Sequence, residues 1–131
     1  PEKPAIKSGD WMDLYLKIKF YSDIPKMTCG FKIKTLDGFV IFATNLDLLG
    51  HPQKSVRTNE TKVFQFTYLN PLSKGHYFYD LGVVEILPEG EMVPLDRRYD
   101  LFHVDVLSEN EFEGLINLNC SVQEISITMP R

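Results

Sequence analysis

Two short runs gather the residue types that could hold a ligand. His76, Phe78 and Asp80 alternate along one, and His103 and Asp105 stand two apart in another. Lys32 and Lys34 add a cationic stripe, and Phe39 a further aromatic ring. Such groups offer flat apolar surfaces and hydrogen bonds, which suits binding. Covalent chemistry asks for more. His51, His76 and His103 lack H-x-x-x-H or H-E-x-x-H spacing, and Cys29 and Cys120 form no C-x-x-C pair. No metal site is therefore expected. There is no G-x-S-x-G nucleophile turn. Carboxylates that cleave glycosides lie roughly 5–9 Å apart. Asp80 and Asp105 could be neighbours, but nearly any β domain offers such a pair. The expectation is a non-catalytic domain without cofactor or metal.

The elements that must position these residues are strands. From Trp11 to Phe20, the apolar Met12, Leu14, Leu16, Ile18 and Phe20 alternate with Asp13, Tyr15, Lys17 and Lys19. A period of two marks a half-buried strand. Thr28–Thr35 repeats it, with Phe31 and Ile33 inward and Lys32 and Lys34 outward. Asp37-Gly38 supplies a hairpin turn, and Phe39–Thr44 returns with Val40 and Phe42 inward. Further strands are expected at Lys62–Leu69, His76–Glu85, Tyr99–Leu107 and Val122–Met129. Asn45–Asn59 and Leu87–Arg98 read as loops, because Gly and Pro interrupt them, and Glu109–Cys120 as a less regular connection. No helix of useful length emerges. Seven or eight strands with turn signals between them predict an all-β, antiparallel, immunoglobulin-like sandwich with Greek-key connections.

Leu72-Ser73-Lys74-Gly75-His76-Tyr77 has the form L-x-x-G-x-Y, in which a strand-opening tyrosine folds its hydroxyl back to the upstream backbone. An inward Tyr77 makes Tyr79, Leu81 and Val83 inward as well, because side chains alternate along a strand. His76, Phe78, Asp80 and Gly82 then face outward. If strands follow immunoglobulin order, the same outer face carries Lys32, Lys34, Phe39, Ile41, His103 and Asp105. A rival face on the other sheet holds Tyr15, Lys17, Lys19, Gln65 and Thr67. Trp11, the single tryptophan, reads either as packing over the sandwich end or as part of a site.

The chain has 131 residues, 44% hydrophobic and 24% charged, with a net charge of −4. That is one globular domain of ordinary composition. Nucleic-acid binders usually present a basic face, so nucleic acid is excluded as the expected partner. The cysteines read as reduced, largely buried thiols. No apolar run approaches the ~20 residues of a membrane helix, and the chain begins at Pro1 without an initiator Met. It reads as a fragment of something longer.

Phe31-Lys32-Ile33, Val40-Ile41-Phe42-Ala43-Thr44-Asn45, the Leu72…Gly75-His76-Tyr77 corner and Phe102-His103-Val104 resemble successive strands of one family. It is the C-terminal domain of the ATP-binding subunit of bacterial O-antigen ABC exporters, the Wzt type, over roughly residues 11–118. The resemblance implies a sandwich that recognises O-antigen polysaccharide, a lipid-linked glycan, before export. No Walker motif occurs here, so the ATPase would lie upstream. It further implies a cytoplasmic place at the inner face of the inner membrane, beside the transporter's membrane subunit. A homodimer would form by exchange of strand 122–129. Under this reading Phe78 and Phe39 are stacking platforms, and Asp80, His76, His103, Lys34 and Lys32 are polar partners of the glycan. Phe78 equally suits a dimer interface. The alternative function is a structural or protein-recognition sandwich.

Overall fold

The computed structural model describes residues 5–51, 54–109 and 111–127. Eight strands follow in chain order: β1 (Ala5–Lys7), β2 (Trp11–Lys19), β3 (Ile24–Thr35), β4 (Val40–Asn45), β5 (Lys54–Val56), β6 (Thr61–Leu69), β7 (Gly75–Ile86) and β8 (Met92–Leu107). The larger sheet has the order β1-β8-β7-β3-β4, with β5 also paired to β3; β2 and β6 form the smaller sheet. β1 runs parallel to β8, and the other strand pairs are antiparallel. This is the immunoglobulin-like sandwich the periodicity implies. No helix occurs among the described residues.

The alternation over residues 11–20 works as expected: Leu16 and Phe20 are buried, while Trp11 and Tyr15 stand out in solvent. Trp11 is 72% exposed, so it does not pack over the sandwich end. The core is built around Phe31, whose ring meets Phe66 at 5.3 Å, Tyr68 at 5.9 Å and Tyr79 at 6.2 Å. Aromatic pairs at these separations add roughly 0.5–1.5 kcal/mol beyond area burial. The hydroxyls of Tyr68 and Tyr79 hydrogen-bond to each other across the two sheets. Burial raises the pKa of both phenols, that of Tyr79 the more strongly.

The corner forms as its motif predicts. The Tyr77 hydroxyl donates to the Ser73 carbonyl at 2.8 Å. Tyr77, Tyr79 and Val83 are buried, which fixes the outward parity of the rest of β7.

Five expectations are corrected. The proposed loop over 87–98 is mostly strand: β7 and β8 form a long hairpin turning at Leu87–Glu91, where the Leu87 N–H bonds to the Glu91 carbonyl at 2.8 Å. Pro94 is tolerated there because β1 pairs with β8 only at residues 105–107, which leaves the Pro94 side of the ladder open. The proposed connection over 45–59 contains β5 and a buried Leu46. The register shift between Ile33 and Lys34 leaves Ile41 unmatched in β4, so Val40 pairs with outward Lys34 while Ile41 packs against the core. Finally, residues 122–127 form no strand, and Met129 lies outside the described residues. Cys29 is buried, with its thiol pushed up to about 12 by desolvation, but Cys120 is exposed; both are free thiols.

Candidate ligand-binding face

The outer face of the larger sheet carries the expected site residues, but in a different arrangement. Its rows follow from register. Lys32 lies opposite Asp80, Lys34 opposite Phe78, Phe78 opposite His103, and His76 opposite Asp105. Lys32, Lys34, His76, Phe78, Asp80 and His103 thus share one face, as parity alone implied.

Exposure separates their roles. Asp80 is buried rather than free in solvent, because β8 bulges over it between Phe102 and Arg98. Its carboxylate accepts the Asp100 N–H at 2.7 Å and an ion pair from Lys34 Nζ at 3.0 Å. Lys34 also meets Asp100 at 2.8 Å and lies 5.8 Å from the Tyr99 ring centre. Its ammonium is held above the usual lysine value, first by the Asp100 hydrogen bond and then by that to Asp80. Asp80 therefore organises the bulge that carries Tyr99. Asp100 sits in the left-handed region at φ 53°, an uncommon conformation for a residue other than glycine.

Phe78 is half-buried, its ring 4.9 Å from that of His103. Phe39 is 63% exposed at the β3–β4 hairpin, where its N–H bonds to Thr35 Oγ1 at 3.0 Å. Because of the β4 bulge it stands across from Thr35 rather than in the outward row, and it does not line the groove described next.

That groove was not foreseen. It is an open depression of about 300 Å³ on the same face, lined by Thr28, Gly30, Lys32, Asn45, Asp80, Gly82, Arg97 and Tyr99 among others. One row explains it: Asn45, Gly30, Gly82 and Arg97 stand side by side across β4, β3, β7 and β8. Gly82 carries no side chain and is open above, while at Gly30 the Thr44 carbonyl of β4 fills the place of one, so backbone forms the floor between Asn45 and Arg97. Tyr99, 62% exposed, borders it with its ring held by the Lys34 network. Thr28 lies against the groove, buried, and its hydroxyl has no hydrogen-bond partner among the described residues. A signal was present in the sequence: glycine inside a strand often marks close approach of a ligand or another backbone.

The rival face also exists. Trp11 and Tyr15 project from β2 on the smaller sheet, with Thr67 Oγ1 donating to Asp13 at 2.7 Å between them. It is a ridge of separated rings without a walled floor.

Residues 1–118 match the family model described as the Wzt C-terminal domain. A solved structure, "Crystal structure of the C-terminal domain of wzt", is similar at a TM-score of 0.85 and 32% identity, over 92% of this chain and 74% of that one. No curated protein matches the chain.

Proposed function

We propose that this chain, which belongs to the Wzt C-terminal domain family, binds the O-antigen polysaccharide cargo of a bacterial ABC exporter in the groove over Gly30 and Gly82. The glycine floor is the observation that carries the reading. A pyranose ring is flat, with apolar C–H faces and polar edges. A backbone floor admits such a ring, the Tyr99 face meets its C–H surface, and Lys32, Arg97 and Asn45 reach its hydroxyls. An open groove also lets a long chain pass through, where a closed pocket would accept only an end. Phe78, His76 and His103 continue the face beyond the Lys34–Asp80 pair and extend the track along the polymer. The domain selects cargo and the ATPase lies elsewhere in the same subunit, on the cytoplasmic side of the inner membrane, against the membrane subunit. No helix among the described residues is long and apolar enough to cross a membrane.

Calorimetric titration with O-polysaccharide against unrelated glycans tests this. Tyr99→Ala is expected to weaken binding tenfold or more, about 1.4 kcal/mol, with unchanged thermal unfolding. Absence of binding to any long glycan sinks the proposal in favour of a protein-recognition domain. Loss of binding in Trp11→Ala with full retention in Tyr99→Ala moves the site to the smaller sheet.

The second part of the proposal is a homodimer that exchanges residues 122–129. Val122 is 97% exposed, Ile125 68% and Ile127 70%. Among the described residues, 122–127 pair with no strand of their own chain. Among the described residues β2 and β6 pair only with each other, so each leaves an edge open. A partner's segment added to one edge would satisfy both deficits. Removing residues 120–131 is expected to convert the dimer to monomer in light scattering. A full chain that stays monomeric at high micromolar concentration refutes the exchange.

A further inference from the structure

We propose that His76, His103 and Asp105 form a binding site for one divalent transition-metal ion of the zinc type. Spacing along the chain hides this set, because its members come from two antiparallel strands. His76 on β7 is the register partner of Asp105 on β8, and His103 stands two residues before Asp105 on the same face. One ligand atom from each lies within 4.8 Å of the others. Two imidazoles and a carboxylate are the donor set that zinc accepts, with a fourth position left to water.

The distances fit a site one small movement from closure. Tetrahedral zinc with bonds of about 2.0–2.1 Å holds its ligand atoms about 3.3 Å apart. His76 Nδ1 is 2.5 Å from Asp105 Oδ1, and His103 Nε2 is 3.9 Å from the same oxygen. One pair is about 0.8 Å tighter than a metal would set it and the other about 0.6 Å wider, and all three ligand atoms lie within 4.8 Å.

A second observation comes from His103 itself. Its Nε2 is buried and has no hydrogen-bond partner among the described residues. Buried ring nitrogens are normally satisfied, and 3.9 Å is too long for a hydrogen bond to Asp105. A cation between them would take up this lone pair. The Phe78 ring, 4.9 Å away, backs the His103 ring on the apolar side, while His76 and Asp105 keep 51% and 32% of their side chains exposed. The site is therefore walled from behind and open in front. This inference does not rest on polysaccharide binding.

The test uses tag-free full chain and zinc chloride as the probe. Calorimetry is expected to give one equivalent bound, with the affinity at least tenfold weaker in His76→Ala and in Asp105→Asn. His76 is exposed, so its replacement keeps the fold, and thermal unfolding of each variant verifies this. In proton NMR of the unaltered chain, the ring signals of His76 and His103 are expected to shift on zinc addition while those of His51 stay. Absence of saturable binding, full affinity in both variants, or a shift confined to His51 overturns the proposal.

Discussion

Gly82→Val is expected to weaken polysaccharide binding at least a hundredfold, about 2.7 kcal/mol, while leaving thermal unfolding unchanged or slightly raised. The two halves of this expectation have separate causes. A Cβ built at Gly82 meets nothing within 4 Å, and its backbone is not in the left-handed region. A β-branched residue suits a strand at such a position, and replacing glycine reduces the freedom of the unfolded chain. That effect stabilises by about 0.4–1 kcal/mol where the native backbone is compatible. The added methyls point into the groove, midway between the Arg97 and Gly30 positions of the same row. They remove the flat floor a sugar ring would lie on. Calorimetry and scanning calorimetry on the same sample decide it. Wild-type affinity in this variant would mean that the ligand does not touch the groove.

The contrast between what was legible beforehand and what was not follows the physics of strands. Parity is local. The Leu72–Tyr77 corner and the alternation of β2 and β7 could be read directly, and Leu16, Tyr77 and Tyr79 are buried accordingly. Bulges are not local. Ile41 in β4 and residues 99–101 in β8 each break parity because a partner strand shifts register there. Those two shifts account for the misplacement of Phe39 and Ile41, the burial of Asp80 and the unforeseen role of Tyr99. Cross-strand neighbours were equally hidden. Gly30 meets Gly82, and His76 meets Asp105, only once β3, β7 and β8 are in register. The segment from Val122 has strand patterning, yet a strand requires a neighbour to bond with.

Gly30→Ala is the companion experiment, and its expected result is loss of stability rather than of binding alone. The two glycines lie side by side in one row, but their surroundings differ. A Cβ at Gly30 would stand 1.9 Å from the Thr44 carbonyl oxygen and 2.8 Å from the Asn45 Cα. Both are backbone atoms of β4, so no side-chain rotation relieves the clash. β4 must retreat, which strains the ladder that pairs Gly30, Phe31 and Lys32 with Asn45, Thr44 and Ala43. Phe42 would lose its 5.9 Å contact with Phe31 at the core margin. Overpacking of a tight site costs about 1–3 kcal/mol and sometimes more, and a clash with backbone belongs at the upper end. Against a total stability of about 5–15 kcal/mol, a loss of about 3 kcal/mol lowers the urea midpoint visibly. Binding should fall too, since Asn45 walls the groove, but only together with stability. A Gly30→Ala chain with the wild-type midpoint would show that β3 and β4 do not approach as closely as this register requires. A chain that binds normally after Gly30→Ala, yet fails after Gly82→Val, would confine the ligand to the β7–β8 side of the floor.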